Sequence, residues 1–359
     1  MKNVVIITLP LTNYNYGGLL QAYALQHFLK SNYNIEVSHV DRQYNTTNAI
    51  RIKTNVYKLL NWQYYKTIKD YYTPIRLFIK NNITLSNTIG SDSSFNNYLK
   101  KNNVGLIITG SDQVWNRHYA NNINNDLLLN IPYQCIKISY AASFGSNQYA
   151  EENVAEKIKN LDGISVREKD AQEYLSSYGI KAIHHIDPTL LLTADQYLQF
   201  VKSSKKDYKN GVTSYVLDKK PETEEFSLLL SKLADRPLNK IGIKAAIDKK
   251  NYKNINHKVD GLEDWLNAFY SADYIITDSF HGCVFSILFN KQFITLGNKA
   301  RGYDRFISLL GLFGLEDRLV TSKEEVEKVF IPIDYSIVNA KLEELRAEAK
   351  QYFDTFLSK

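Results

Sequence analysis

Cysteine is nearly absent from this chain: 359 residues hold two, Cys135 and Cys283. They lie far apart in apolar settings, which excludes a disulfide framework and reads as two buried small side chains in a reducing compartment. No CxxC pair and no histidine-rich cluster occurs, so no metal centre is expected. Long uncharged apolar runs are missing as well. The run Val4-Val5-Ile6-Ile7 is too short for a membrane span or a signal peptide, and a soluble cytoplasmic protein is expected. The charge imbalance is small: 44 Lys and Arg against 38 Asp and Glu, a net +6. So dispersed an excess does not argue for nucleic acid as a partner. It is compatible with anionic small substrates or with loose contact with an acidic membrane surface. There is no internal repeat and no low-complexity linker.

What is present is an ordinary globular composition, 44% hydrophobic and 23% charged. The length exceeds what one core usually organises, so two α/β domains are expected. Val4 to Leu9 reads as a buried strand, Asn13 to Gly18 as a glycine-containing turn, Leu19 to Leu29 as a helix and Ile35 to Val40 as a second strand. This is a βαβ opening, as in doubly wound sheets. From Tyr44 to Lys101 the composition shifts to Asn, Tyr and Lys with a weak helical pattern, either a flap over a cleft or a surface insertion. Strands are then expected at 104–109, 136–144, 163–166 and 183–186, with helices at 151–160 and 171–177. A second unit follows, with strands at 211–217, 240–243, 274–277 and 292–296 and helices at 223–234 and 262–271. The expected division is 1–197, 198–335 and a C-terminal helix, 336–359, that packs back on the first domain.

In open α/β sheets ligands sit beyond the carboxyl ends of the strands. Polar residues fall there repeatedly: Asn15 to Gly18, Gly110 to Asp112, Ser143 to Gly145, Arg167, Asp187 and Ser279 to His281. Two facing sheets would bring them to one cleft. Gly17-Gly18 lacks the third glycine of a dinucleotide turn, so a nicotinamide cofactor is disfavoured; paired glycines instead let a ligand approach a helix N-terminus. Gly110-Ser111-Asp112-Gln113-Val114-Trp115-Asn116 suits a sugar ring, with an aromatic face beside polar side chains, or else a capped helix with Trp115 in the core. Arg167 follows a buried strand and needs an anion, either a ligand or the local carboxylates Glu168 and Asp170. His281, expected at a helix start, is either a proton-transfer group or an incidental residue of a capped turn.

Taken together, these segments resemble the polysaccharide pyruvyl transferase family. The resemblance is carried by Asn15-Tyr16-Gly17-Gly18-Leu19-Leu20-Gln21-Ala22-Tyr23-Ala24-Leu25, by Gly110 to Asn116, by Ser139 to Gly145, by Ser165 to Glu168, by Asp187-Pro188-Thr189-Leu190, by Thr277-Asp278-Ser279-Phe280-His281-Gly282 and by Arg301-Gly302 through Arg305-Phe306. It implies two Rossmann-like domains facing a cleft, a glycosyltransferase-B-like fold. It implies an enzyme that moves the enolpyruvyl carbons of phosphoenolpyruvate onto two sugar hydroxyls of a surface-polysaccharide precursor, forming a cyclic ketal and releasing phosphate. Phosphoenolpyruvate would be a co-substrate, with no further cofactor. The acceptor would be a sugar, free or lipid-linked, the latter bringing the protein to the inner face of the membrane.

By the same resemblance His281 and Arg167 are the catalytic candidates. Ser279, Phe280, Gly282, Arg301 and Arg305 fall on the donor side. Asn15, Tyr16, Gly17, Gly18, Ser111, Asp112 and Trp115 fall on the acceptor side. One departure stands out: several family members carry Arg-Leu-His where this chain reads Ser279-Phe280-His281. Ser279 brings no charge, so Arg301 or Arg305 would have to replace the missing cation. Two other functions fit such a fold, a glycosyltransferase with a nucleotide-sugar donor and a non-catalytic glycan-binding protein.

Overall fold

Short apolar runs alternate with helical segments along most of this chain, and such alternation builds parallel sheets. A computed structural model describes residues 3–42, 48–116, 126–146, 154–208, 210–218, 220–242, 247–255, 257–297 and 303–358. The first sheet contains β1 (Asn3–Ile7), β2 (Val37–His39), β3 (Val104–Thr109) and β4 (Ile136–Ser139), all parallel, in the order β2-β1-β3-β4. A short parallel pair, β5 (Ser165–Val166) and β6 (Ile183–His184), continues beside β4 through the bridges Ile138↔Gly163 and Ala142↔Val166. The second sheet contains β7 (Val212–Tyr215), β8 (Leu238–Lys240), β9 (Tyr274–Thr277), β10 (Gln292–Leu296) and β11 (Leu319–Val320), parallel, in the order β11-β10-β9-β7-β8.

Helix α1 (Tyr16–Tyr33) follows β1 and is buried nearly all round, because it lies between the first sheet and the rest of the molecule. The Asn- and Tyr-rich segment forms α2 (Asn48–Leu60), α3 (Trp62–Tyr71), α4 (Thr73–Asn82) and α5 (Asp92–Lys101). Helices α6 (Val154–Ile158), α7 (Lys169–Ser177) and α8 (Ala194–Ser203) complete the first part. The second carries α9 (Pro221–Ala234), α10 (Leu262–Tyr270), α11 (Phe280–Leu288) and α12 (Tyr303–Phe313). The last helix, α13 (Tyr335–Leu357), lies against elements of the first part: Tyr352 Oη donates to the Ser139 carbonyl at 2.8 Å and Arg346 to the carbonyls of Leu190 and Leu192.

Some strands differ from expectation. The strand expected to reach Phe144 stops at Ser139, because Ala141 takes a left-handed φ of 47° and the chain bends toward Val166. Residues 140–146 stay buried after the bend, which is why they read as strand. The strand expected at 240–243 runs instead from Leu238 to Lys240, and residue 243 lies outside the described residues. Helix α11 begins at Phe280, so His281 stands in its first turn, at the helix start where it was expected.

One apolar core runs between the two sheets, from Ile6, Leu20 and Leu25 to Trp265, Phe285, Phe293 and Phe353. Tyr16 crosses it: its ring stacks on Trp265 at 5.9 Å and its hydroxyl donates to the Asp260 carbonyl at 2.8 Å. Smaller cores fill the outer faces of each sheet. The carboxyl ends of β1 and β3 therefore meet those of β7 and β9 across a common cleft.

Candidate active site

Two strand-to-helix turns build this cleft. After β1, Leu11–Asn13 makes one 3-10 turn, Tyr14 is left-handed at φ 53°, and Asn15 caps α1 by accepting from the Gly18 N–H at 3.0 Å. After β9, Ser279 caps α11 by accepting from the Gly282 N–H at 3.4 Å. Both helices thus direct their N-terminal N–H groups and positive dipole ends at the space between them. That space has a volume of ≈ 270 Å³. Asn13, Asn15, Gly18, Gln21, Asp112 and Gln113 line it from the first sheet, and Leu217, Asp278, Ser279, Phe280, His281 and Arg305 from the second.

The two turns touch at Gly17 and His281. A Cβ placed on Gly17 would lie 2.1 Å from His281 Nδ1 and 2.2 Å from its Cγ. The imidazole therefore packs directly against the Gly17 backbone, in a volume that any side chain would fill. On its other side His281 Nε2 lies 3.6 Å from Asp187 Oδ2, an ion-pair separation too long for a hydrogen bond. His281 Nε2 is buried on this inner side, facing Asp187. Gln21 Oε1, on a residue of the cleft wall, is buried without a hydrogen-bond partner, and such an orphaned atom is what a bound ligand would satisfy.

Asp187 is the hub behind the histidine. Its Oδ2 accepts from Arg167 Nη1 at 3.0 Å and Ser111 Oγ at 3.2 Å, and its Oδ1 accepts from Thr189 N and Oγ1. Burial alone would raise its pKa; His281, then Arg167 and the Thr189 N–H, override burial and hold the carboxyl well below the usual range. An ionised carboxylate thus stands behind the imidazole. Arg167 is enclosed in the same network: Nε donates to Glu168 Oε1 at 3.2 Å, and its guanidinium lies 4.2 Å from the centre of the Phe280 ring. Burial disfavours its charge, but Glu168, Asp187 and Asp112 more than compensate and raise its pKa.

Arg305, on α12, lies 5.8 Å from the centre of the same Phe280 ring and reaches the cleft directly. Two arginines thus flank one aromatic ring: Arg167 is held within the protein by carboxylates, and Arg305 is among the residues that line the cleft.

Several sequence expectations change in this light. Trp115 is fully buried, its Nε1 donating to the Leu127 carbonyl at 3.1 Å, so its face is core and not a sugar platform. Tyr16 is core for the same reason. Ser111 is buried against Asp187 and does not line the cleft, and neither does Gly282, whose missing Cβ makes room for Thr277. Arg167 lies behind Phe280 and likewise does not line it. Gly17 acts through its contact with His281. Asn15, Gly18, Asp112, Ser279, Phe280, His281 and Arg305 do come together. Arg301 lies outside the described residues.

The lining residues Asn13, Gln21, Leu217 and Asp278 were not singled out by the sequence, whereas Asp187 was expected among the polar strand ends of the cleft and Gln113 in the segment suited to a sugar ring. Some sit one or a few positions from residues that were: Gln21 in the segment opening at Asn15, Asp278 beside Ser279. Asp278 holds the opposite rim by accepting from the N–H groups of Leu217 at 2.6 Å and Asp218 at 2.8 Å. Asp112 has a left-handed φ of 77°, which turns its side chain toward Gly18.

Solved structures share this fold. The UDP-GlcNAc 2-epimerase of Methanocaldococcus jannaschii aligns over 92% of this chain and 92% of its own, with TM-score 0.51 and 15% identity. That of Neisseria meningitidis, bound to UDP-GlcNAc, aligns over 96% of this chain and 94% of its own, with TM-score 0.52 and 10% identity. At such identities the likeness concerns the fold alone, a glycosyltransferase-B-like pair of Rossmann-like units. No curated protein matches the sequence. A family model, however, matches residues 15–300, from the Asn15 cap of α1 through the Asp187 hub and the β9–α11 turn. By that match the chain belongs to the polysaccharide pyruvyl transferase family.

Proposed function

We propose that this protein transfers the enolpyruvyl carbons of phosphoenolpyruvate onto two hydroxyls of a sugar in a polysaccharide precursor, closing a cyclic ketal and releasing phosphate. The observation that carries this is His281: an imidazole at a helix N-terminus, lining a polar cleft and backed at 3.6 Å by an ionised, buried carboxylate. The family match supports it at the coarser level of pyruvyl transfer.

The steps follow from the donor. One sugar hydroxyl adds to C2 of phosphoenolpyruvate while its proton passes to His281, and a proton from the imidazole reaches the methylene carbon, making it a methyl group. The C2–O bond to phosphate breaks, and the second hydroxyl adds at C2. Of the two hydroxyl protons, one ends on the methyl carbon and one leaves with phosphate. Atoms and electrons balance without a redox cofactor. Asp187 stands behind the imidazole, and Arg167 and Ser111 hold Asp187 in place, so Arg167 is a positioning residue.

Charge divides the cleft between the two substrates. Arg305 and the α11 N-terminus suit the donor's phosphate and carboxylate. Asn13, Asn15, Asp112 and Gln113 offer the donors and acceptors that sugar hydroxyls need. In this scheme Arg305 supplies the cation that Ser279 does not.

The test is incubation with phosphoenolpyruvate and a panel of oligosaccharide acceptors, following phosphate release and acceptor mass. The expected result is phosphate release matched by an acceptor carrying one pyruvylidene group. Turnover of a nucleotide sugar, with no consumption of phosphoenolpyruvate, would replace this function with glycosyl transfer.

A further inference from the structure

Positive charge is in local excess along residues 53–82. From Lys53 to Asn82 there are six Lys and Arg side chains and one carboxylate, Asp70, a surplus of five where the whole chain has +6. All six cations, Lys53, Lys58, Lys66, Lys69, Arg76 and Lys80, are exposed. The end of α2 and the start of α3 stand among them, and there the apolar side chains face outward: Val56 is 51% exposed, Leu59 72%, Leu60 78% and Trp62 56%. Val56, Leu59 and Leu60 are spaced three and four apart, so they share one side of α2. Cations surround them. Lys66 Nζ lies 6.0 Å from the centre of the Trp62 ring, and Lys249 Nζ lies 4.4 Å from that of Tyr57.

We propose that this corner, Val56 to Trp62 with its lysine rim, docks on an anionic lipid bilayer. Aliphatic and indole side chains at a helix end, ringed by long cationic side chains, match an interface of acyl chains below and negative headgroups above. A second copy of this chain fits the corner poorly, since a two-fold interface would set like charges against each other. The patch is also tied to the cleft. Tyr72, between α3 and α4, stacks on Tyr14 at 4.4 Å, and Tyr14 stands between the Leu11–Asn13 turn and Asn15 that line the cleft. Docking there would hold the cleft rim close to the bilayer, within reach of an acceptor carried on a lipid.

The test uses the full-length protein in flotation with phosphatidylglycerol–phosphatidylcholine vesicles and with phosphatidylcholine vesicles alone. Binding to the first and not the second is expected, weakening as salt rises. Lys58→Glu with Lys66→Glu, and separately Leu59→Ser with Leu60→Ser, should each cut binding roughly tenfold or more. Trp115 and Trp265 are fully buried, so a blue shift of tryptophan fluorescence on anionic vesicles reports Trp62, and Trp62→Phe should abolish it. No binding to anionic vesicles, or equal binding by the variants, would overturn the proposal. So would concentration-dependent dimerisation, or capture of a protein partner, that the Leu59/Leu60 change removes while vesicle binding is absent. These readouts measure binding and not turnover, so they succeed or fail separately from pyruvyl transfer.

Discussion

The β1–α1 and β9–α11 turns have the same plan and opposite contents. Each runs from a buried parallel strand through a polar loop to a capped helix, with Asn15 as the cap in one and Ser279 in the other. The first turn then places Gly17 and Gly18 in the helix and so contributes bare backbone. The second places Phe280 and His281 there and contributes two rings. They are complementary because the volume one leaves empty is the volume the other fills. A side chain can be positioned by an absence of atoms on the facing element as well as by hydrogen bonds of its own.

That comparison is tested most severely by removing the ring. His281→Ala should lower turnover by about 10²–10⁴-fold, the range for loss of a general acid–base group, with the fold retained. Phosphate release alongside circular dichroism would check this, and near-normal turnover would leave the β9–α11 turn without a catalytic role.

The next effect is on what supports the ring. Asp187→Asn should destabilise the protein by about 3–5 kcal/mol at neutral pH, because it strips a buried charge from Arg167 and His281. The pKa of Asp187 is depressed in the folded state, so its stabilisation is complete above the unfolded value of about 3.9 and is lost as pH falls below it. The urea-midpoint gap between wild type and variant should therefore shrink in acid; a gap independent of pH would contradict the ionised hub. Arg167→Ala is expected to cost as much stability as Asp187→Asn, since it leaves both Asp187 and Glu168 buried without their cation.

Filling the empty volume is a milder perturbation. Gly17→Ala should cost about 1–3 kcal/mol and lower kcat, because the added methyl must displace the imidazole. In a His281→Ala background the same change should cost less, because only the Cβ of residue 281, 2.8 Å from the added methyl, is left to shift. A thermal-unfolding double-mutant cycle reads this directly, and additive effects would mean that the two turns do not depend on each other. The smallest effect is expected at the rim. Arg305→Gln should raise KM for phosphoenolpyruvate roughly tenfold, with a lesser change in kcat, as removal of a charge-assisted contact does.

Much of the fold was legible because its signals are local. The apolar runs of β1, β3, β9 and β10 and the breaker-free α1 were visible as patterns, and so was the position of His281 after a buried strand. The bend at Ala141 was not, because the residues beyond it are as apolar as the strand before it. Trp115 illustrates the same limit within the site. Beside Asp112 and Gln113 it looks like part of a polar binding loop, yet the loop turns it inward while its neighbours face the cleft. Alternation of this kind depends on the left-handed φ of Asp112 and leaves no mark in composition.

By itself, then, the sequence determined the class of fold, the family and the short list of turns where chemistry could occur, because hydrophobic periodicity, glycine pairs and ordered motifs are properties of neighbouring residues. Which residues touch was decided only by tertiary structure. Gly17 and His281, Asp187 and Arg167, and Tyr14 and Tyr72 are brought together by the packing of the two sheets and the α2–α4 helices, and separation along the chain carries no record of it. The same packing set the two arginines around Phe280 in different places: Arg167 is enclosed by the carboxylates beside it, and Arg305 lines the cleft.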